Sequence, residues 1–309
     1  MHGAADSRKA TVRPSAGPTP REQRLAFGAL LIGNLALAFG PWFVRLTDVG
    51  PVAAGFWRIA LATPLLLLMA SVGGTRPFGQ TRGLAWVLFW SGVLFAGDLA
   101  AWHVGIHHTK LANATLFGNA ATFVFPLYGF LVARMWPTRM QGLALALAAV
   151  GAALLMGRSY QLAPENFVGD LLCLLAGVLY AGYFILMARV RATTPPLPAL
   201  GLSSAAAILP LLFAALLLGE RVWPGDWTPL IALALVSQVL GQGMMTYALG
   251  RLSPLVIGLA LLTQPVVAAS VGWIVYGERL GVADVIGAAL VGIALVLVRI
   301  APERATVTA

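Results

Sequence analysis

The chain has 309 residues, 59% of them hydrophobic and 10% charged, with mean hydropathy +0.86; ordinary soluble domains carry roughly 25% charged residues. That balance excludes a soluble globular fold. It also makes the net charge of +9 a poor sign of nucleic-acid binding, since no basic folded surface is available to meet a duplex.

Residues 1–23 are polar, carry Arg8, Lys9, Arg13 and Arg21, and are punctuated by Pro14, Pro18 and Pro20. They read as a disordered cytoplasmic tail, not as a signal peptide, because no short apolar region with a cleavage site precedes the first apolar stretch. Ten apolar stretches then follow, at 25–45, 51–71, 84–106, 112–133, 140–157, 169–188, 197–218, 228–248, 254–275 and 282–300. A helix needs about 20 apolar residues to cross the hydrocarbon of a bilayer. The stretches are continuously apolar instead of alternating, which argues against a β-barrel. The expectation is an all-α membrane protein with ten transmembrane helices.

Polar groups inside such helices need partners or a wet cavity. Asn34 lies near the middle of the first span, and Pro41 is expected to bend its outer half. The second span holds Arg58 and the third Asp98. These two spans form a hairpin, so the side chains can meet, as a neutralising structural pair or as groups offered to a substrate. Trp102 follows Asp98 by one turn, and His103 and His107 lie beyond it. The histidines have the i, i+4 spacing of a metal pair but no third ligand nearby, so no metal is expected. His103 reads as an interfacial residue or as a proton relay to Asp98. The fourth span contributes Asn113 and Asn119. The sixth places Tyr180 and Tyr183 on one face and holds the lone Cys173, a packing residue. With Trp102, the tyrosines are candidate cavity walls that can take an aromatic side chain or an ammonium over a ring. In the eighth span Gln238, Gln242 and Thr246 recur every four residues and share a face. In the ninth, Thr263 and Gln264 precede Pro265, which frees a backbone carbonyl one turn earlier. Ala288 and Gly292 in the tenth have the spacing of a close helix contact, within the chain or across a homodimer.

Ten spans put both termini on one side. With that side in the cytoplasm, the inner group is Arg8, Lys9, Arg13, Arg21, Arg24, Arg76, Arg82, Arg134, Arg139, Arg189, Arg191, Arg251, Arg299 and Arg304, and the outer group Arg45, Lys110, Arg158, Arg221 and Arg279. The positive-inside rule favours that orientation. The chain divides near residues 158–168 into two halves of five spans, and an odd number forces opposite orientations. A trace of duplication remains: at an offset of 141, Ala148, Gly151, Ala153, Leu154 and Arg158 meet Ala289, Gly292, Ala294, Leu295 and Arg299. Pro126 and Pro265 correspond within two residues. Inverted repeats are a mark of secondary transporters, which hold substrate near the midplane between the halves.

The segments GPVAAGFWRIALATPLLLLM (50–69), GDLAAWHVGIHHTKLANATLFGNAATFVFP (97–126) and LLTQPVVAASVGWIVYGERLGVADVIGAALVGIALV (261–296) resemble the drug/metabolite transporter superfamily in its ten-helix form. That resemblance implies two EamA-type repeats, here 24–158 and 159–300, flanked by the tails 1–23 and 301–309. One departure is that Gly-Glu-Arg after the ninth span is matched by Met-Trp-Pro after the fourth. Within the superfamily the chain is similar to bacterial inner-membrane exporters, including amino-acid exporters of the YddG type. The likeness implies alternating access around a cavity lined by spans one, three, four, six, eight and nine.

No Walker A sequence is present, and Lys9 and Lys110 lie outside Gly-rich loops, so an ion gradient, with the proton as candidate coupling ion, must drive transport. No cofactor is expected. A single intramembrane cation, Arg58, is too little for phosphorylated substrates. A small zwitterionic or neutral metabolite fits best, amino acids foremost. A cationic drug is the alternative substrate, and a polytopic intramembrane enzyme the alternative class. The expected partners are that substrate and membrane lipid, with the protein a monomer or a homodimer.

Overall fold

The structure, a computed structural model, describes residues 18–76, 79, 81, 83–109, 117–157, 164–276 and 281–300. The tails 1–17 and 301–309, Asn113, Lys110, Arg158 and the Gly-Glu-Arg segment at 277–279 lie outside the described residues.

The first helix, α1 (Pro20–Ala38), starts inside the stretch expected to be a tail. Thr19 and Glu22 close a reciprocal capping box there, and Pro20 occupies the first helical position. That position needs no N–H donor, so the proline starts the helix instead of breaking it. The helix is interrupted at Phe39 and resumes as α2 (Gly40–Leu46), where Pro41 was expected to bend it. Then come α3 (Pro51–Val72), α4 (Ala85–His107), α5 (Ala121–Ala133), α6 (Arg139–Gly157) and α7 (Phe167–Arg191). A short 3₁₀ turn, Pro164–Asn166, leads into α7. The second part continues with α8 (Pro196–Leu217) and α9 (Thr228–Ala232). A π-helical segment, Leu233–Gln242, joins α9 to α10 (Gly243–Leu249). Next are α11 (Pro254–Leu261), α12 (Thr263–Tyr276) and α13 (Val282–Ile300). The break between α11 and α12 falls at Leu262, three residues before Pro265.

Among the described residues, seven helical stretches are long and apolar enough to cross a membrane: Pro20–Leu46, Pro51–Val72, Ala85–His107, Pro164–Arg191, Pro196–Leu217, Thr228–Leu249 and Val282–Ile300. Three further apolar helices are shorter, at Ala121–Ala133, Arg139–Leu154 and Pro254–Val267. Large apolar side chains such as Trp86, Leu131, Phe213 and Val296 face outward. A soluble protein rarely exposes so many; against lipid tails they are at home.

Lipid is as apolar as leucine, so close van der Waals packing must hold such helices together. α4 lies along α7 and α8, α3 along α8, and α6 along α13. α1 packs on the π-segment and α10, and α5 on α11. Small residues allow the closest approaches. A Cβ added to Gly92 would sit 2.4 Å from the Ser203 carbonyl oxygen, and one on Gly33 would sit 2.9 Å from that of Gly241. No contact within the chain runs through Gly292: a Cβ there meets nothing within 4 Å, and α13 instead buries Gly287, Val291, Ala294, Leu295 and Val298.

Candidate functional site

Arg58 stands on the second turn of α3, among Ala, Gly and Ile, and is buried. Its Nε donates to Gln238 Oε1 at 3.1 Å. Gln238 is itself fully buried, and its Nε2 donates to Ser204 Oγ on α8 at 3.0 Å. Beside it, Ser203 shares a 2.7 Å hydrogen bond with Ser91 of α4. The guanidinium carbon also lies 5.8 Å from the centre of the Phe95 ring. Asp98, three residues after Phe95 on α4, is half-buried and within electrostatic range of Arg58. Yet no ion pair joins Arg58 to Asp98 among the described residues. The two side chains that the sequence allows to meet are not paired, and the Arg58 Nε is bonded to Gln238 instead.

The tyrosines of α7 face the same place. Tyr180 and Tyr183 stack at 5.9 Å with an interplanar angle of 2°. Phe95 stacks on Tyr183 at 4.7 Å and on Tyr180 at 6.3 Å. Phe184 and Phe125 extend the ring cluster. Gln242 Nε2 donates to the Tyr180 hydroxyl at 3.2 Å. Arg58, Gln238, Gln242, Tyr180 and Phe95 thus form one connected group, drawn from α3, the π-segment, α7 and α4. Among the described residues Gln242 Oε1 and Ser237 Oγ are buried without hydrogen-bond partners, and the buried hydroxyls of Tyr183 and Thr246 have at most each other. Buried polar atoms in native proteins nearly always find one, so an unpaired cluster calls for an explanation such as ligand or water.

Asn34 and Gln264 make a second, smaller unit. Gln264 Nε2 donates to Asn34 Oδ1 at 2.8 Å, and Asn34 Nδ2 donates to the Leu30 carbonyl at 3.1 Å. Asn34 is buried and Gln264 half-buried, just past the α11–α12 break. The unit adjoins the first group through the Gly33–Gly241 approach, one residue from Gln242.

Other expected site residues sit apart from these groups. His103 is buried, with Nδ1 donating to the Leu99 carbonyl at 2.7 Å and its ring edge-on to Trp102 at 5.4 Å. Trp102 therefore meets a histidine and the backbone of residue 118 instead of the tyrosine stack; a Cβ on Gly118 would lie 2.9 Å from its Nε1. Asn119 is half-buried and accepts from the Thr122 N–H at 2.9 Å through its carbonyl. Thr246 lies one turn past Gln242, and its carbonyl takes the Arg191 Nε at 2.8 Å. Among the described residues no group of three or more His, Cys, Asp and Glu could hold a metal.

Sequence reasoning missed Phe95, Ser203, Ser204 and the π-segment. Ser203 and Ser204 carried the available signal, as adjacent hydroxyls deep in an otherwise apolar helix. Phe95 carried a weaker one, lying one turn before Asp98.

Chemically, the arrangement offers a buried cation whose two Nη groups make no hydrogen bond among the described residues, an accessible carboxylate on the next helix, neutral amides and an aromatic wall. It has neither a nucleophile–base pair nor paired carboxylates.

Residues 167–300 match the EamA-like transporter family. An uncharacterized transporter of Archaeoglobus fulgidus is 28% identical over 153 residues, 48% of this chain and 51% of that protein. The match thus spans about half the length of that relative. The uncharacterized transporter YcbK of Bacillus subtilis is 26% identical over 281 residues, 84% of this chain and 87% of its own. A solved crystal structure shares the fold, with TM-score 0.74 at 16% identity over 91% of this chain and 97% of that one.

Proposed function

Since the chain is a multi-pass membrane transporter of the EamA-type drug/metabolite superfamily, we propose that it exports small zwitterionic or neutral metabolites, amino acids foremost, across a bacterial inner membrane. The observation that carries this reading is the unclosed pair: Arg58 and Asp98 lie within electrostatic range but are not bonded to each other. A zwitterion has a carboxylate for the first and an ammonium for the second. Arginine holds carboxylates well because its planar fork donates two parallel hydrogen bonds. The ring wall of Phe95, Tyr180 and Tyr183 can take the side chain.

The proposed mechanism is alternating access between two inverted halves, 24–158 and 159–300, with both termini cytoplasmic and protons as the driving ion. The packing supports this reading. If crossings are numbered one to ten along the chain, three packs on six and eight on one. Four packs on six and nine on one, while two meets seven, four meets nine and five meets ten. Each of these contacts has its counterpart five crossings away, as a pseudo-twofold axis requires.

The test is counterflow in proteoliposomes with the common amino acids, for the native chain and Asp98→Asn. We expect exchange of at least one amino acid, and loss of its pH dependence in Asp98→Asn. A second reading, export of cationic drugs, is favoured by Asp98 having no ion pair among the described residues. Movement of a cationic dye with no amino-acid exchange would establish it in place of the first.

A further inference from the structure

Arg58 sits where a carboxylate is within reach of its field, yet its Nε is bonded to a neutral amide. In a low-dielectric interior an unneutralised arginine and aspartate attract strongly, so something must keep the guanidinium where it is. Gln238 has one donor end and one acceptor end, and only one orientation presents the acceptor to an arginine. Arg58, which can only donate, selects that orientation, and the Ser204 Oγ anchors the other end of the amide at 3.0 Å. Both side chains are buried, so water does not compete for either bond. The peptide segment bearing Gln238 is itself unusual. Ten residues of π-helix are far longer than the single-turn π-bulges that proteins commonly use, and such bulges recur at functional sites.

We infer that Gln238, anchored by Ser204, is a positioning residue that holds the Arg58 guanidinium away from Asp98, so that both charges stay open to the opposite ends of a zwitterion. The inference rests on the proposed transport reading for its purpose, but the brace itself is a property of the folded chain. Without Ser204 the Gln238 side chain loses its second anchor and is free to move, and the guanidinium it held swings to Asp98. Substrate must then break an ion pair to enter. Replacing Gln238 with Glu has a different effect: the new carboxylate neutralises Arg58 directly and leaves Asp98 unmatched, which favours cations.

Two measurements test this, one of them free of substrate. In detergent, Asp98→Asn is compared in the native background and in Ser204→Ala by thermal unfolding. We expect little change or a rise in Tm in the first and a fall in the second, because only there does Asp98 have a partner to lose. Equal shifts in both backgrounds would overturn the brace. The second measurement is counterflow with three probes of one shape: L-phenylalanine, phenethylamine and 3-phenylpropionate. Ser204→Ala should raise the KM for phenylalanine about tenfold with kcat nearly unchanged, the loss expected when roughly 1.4 kcal/mol of pairing must first be undone. Gln238→Glu should shift the ratio of phenethylamine to phenylalanine exchange upward by a similar factor. A merely structural role lowers all three rates together, and that result, or an unchanged ratio in monodisperse protein, would refute the inference while leaving the transport reading intact. If the native protein exchanges none of the three probes, phenylalanine is not a substrate, the panel of common amino acids decides the transport reading, and the Tm comparison still decides the brace. Ser204→Thr, which keeps the hydroxyl, should behave as native in the same Tm comparison; loss of the native pattern there would assign the effect to packing.

Discussion

On the proposed two-half arrangement, α4 and the crossing formed by α9, the π-segment and α10 are counterparts, but they are built differently. α4 is α-helical from Ala85 to His107 and presents Asp98. Its counterpart spends Leu233–Gln242 in π geometry and presents only amides and a hydroxyl, Gln238, Gln242 and Ser237. The same division holds around them: Arg58 and Asp98 come from the first part of the chain, while Ser204, Gln238, Gln242 and Gln264 come from the second. The first part supplies charge, and the second supplies orientation. A neutral hydrogen-bonding shell can aim a charged group without cancelling it, which an opposite charge could not do.

The sharpest way to break this comparison is to remove the charge. Arg58→Gln should lower exchange of an amino-acid substrate roughly hundredfold, since a hydrogen bond to a charged group is worth up to about 3 kcal/mol. Gln242→Leu, on the orienting side, should lose about tenfold at most, because it removes a neutral bond to Tyr180. Counterflow rates measure both. If Gln242→Leu proves the more damaging, the two parts do not divide the work as described.

A deletion probes the geometry instead of the chemistry. Removing Leu235, which is exposed within the π-segment, lets that segment tighten toward α. The fold should survive, with Gln238 carried off Arg58 and exchange reduced. Removing Trp90, exposed on α4, has no such slack to draw on. It turns every later residue of the helix by about 100°, so the protein should lose its monodisperse peak in size exclusion. Equal tolerance of the two deletions would show that the π geometry stores nothing.

How much of this was legible in the sequence follows from the range of each signal. The helices are written locally, in unbroken apolar runs, and the ends of α4, α8 and α13 fall within about a residue of the expected ones. Pro41 and Pro265 flagged the breaks at Phe39 and Leu262, because a missing N–H acts within one turn. The partner of Arg58 was not legible. Gln238 is 180 residues away, and nothing near Arg58 distinguishes it from Asp98 as a partner. The π-segment escaped for another reason: its hydropathy is that of any membrane helix, and its extra width shows only once α1 packs on it at Gly33 and Gly241. Hydropathy likewise indicated that α13 needs a small-residue contact but not which glycine makes it.

At one end of α3 the division between the two parts reverses, which gives a smaller test. Here the second part supplies the charge. Glu220, in the turn after α8, accepts from the N–H groups of Val52 at 3.2 Å and Ala53 at 2.7 Å. Gly50 has no side chain to cap α3, and a Cβ there would lie 2.4 Å from the Glu220 carboxylate, so the glycine makes room for the remote cap. The Trp57 Nε1 donates to the Val222 carbonyl at 2.7 Å beside it. A carboxylate at a helix N-terminus satisfies orphan donors and complements the helix dipole. Glu220→Gln keeps the shape and one acceptor, so it should cost about 1 kcal/mol and lower Tm without changing which probe is exchanged. A change in selectivity would tie this end of the molecule to the site.

The smallest effect belongs to Asp48, on the same loop contact but open to solvent. The Gly225 N–H donates to its Oδ2 at 2.7 Å, and Arg221 pairs with it at 3.2 Å. These hold its carboxyl below the usual range, the Gly225 bond foremost. A depressed folded-state pKa means that the unfolded chain binds the proton more readily, so stability rises with pH. The contribution is complete above the ordinary carboxylate pKa and is lost as pH falls through the lower folded value. Asp48→Asn should therefore flatten the acid side of a Tm–pH profile and leave the neutral plateau almost unmoved, since exposed ion pairs contribute little. The effect should shrink further in high salt, because screening weakens the Arg221 pair while the Gly225 hydrogen bond persists. An acid limb as steep in Asp48→Asn as in the native chain would place the responsible carboxylate elsewhere.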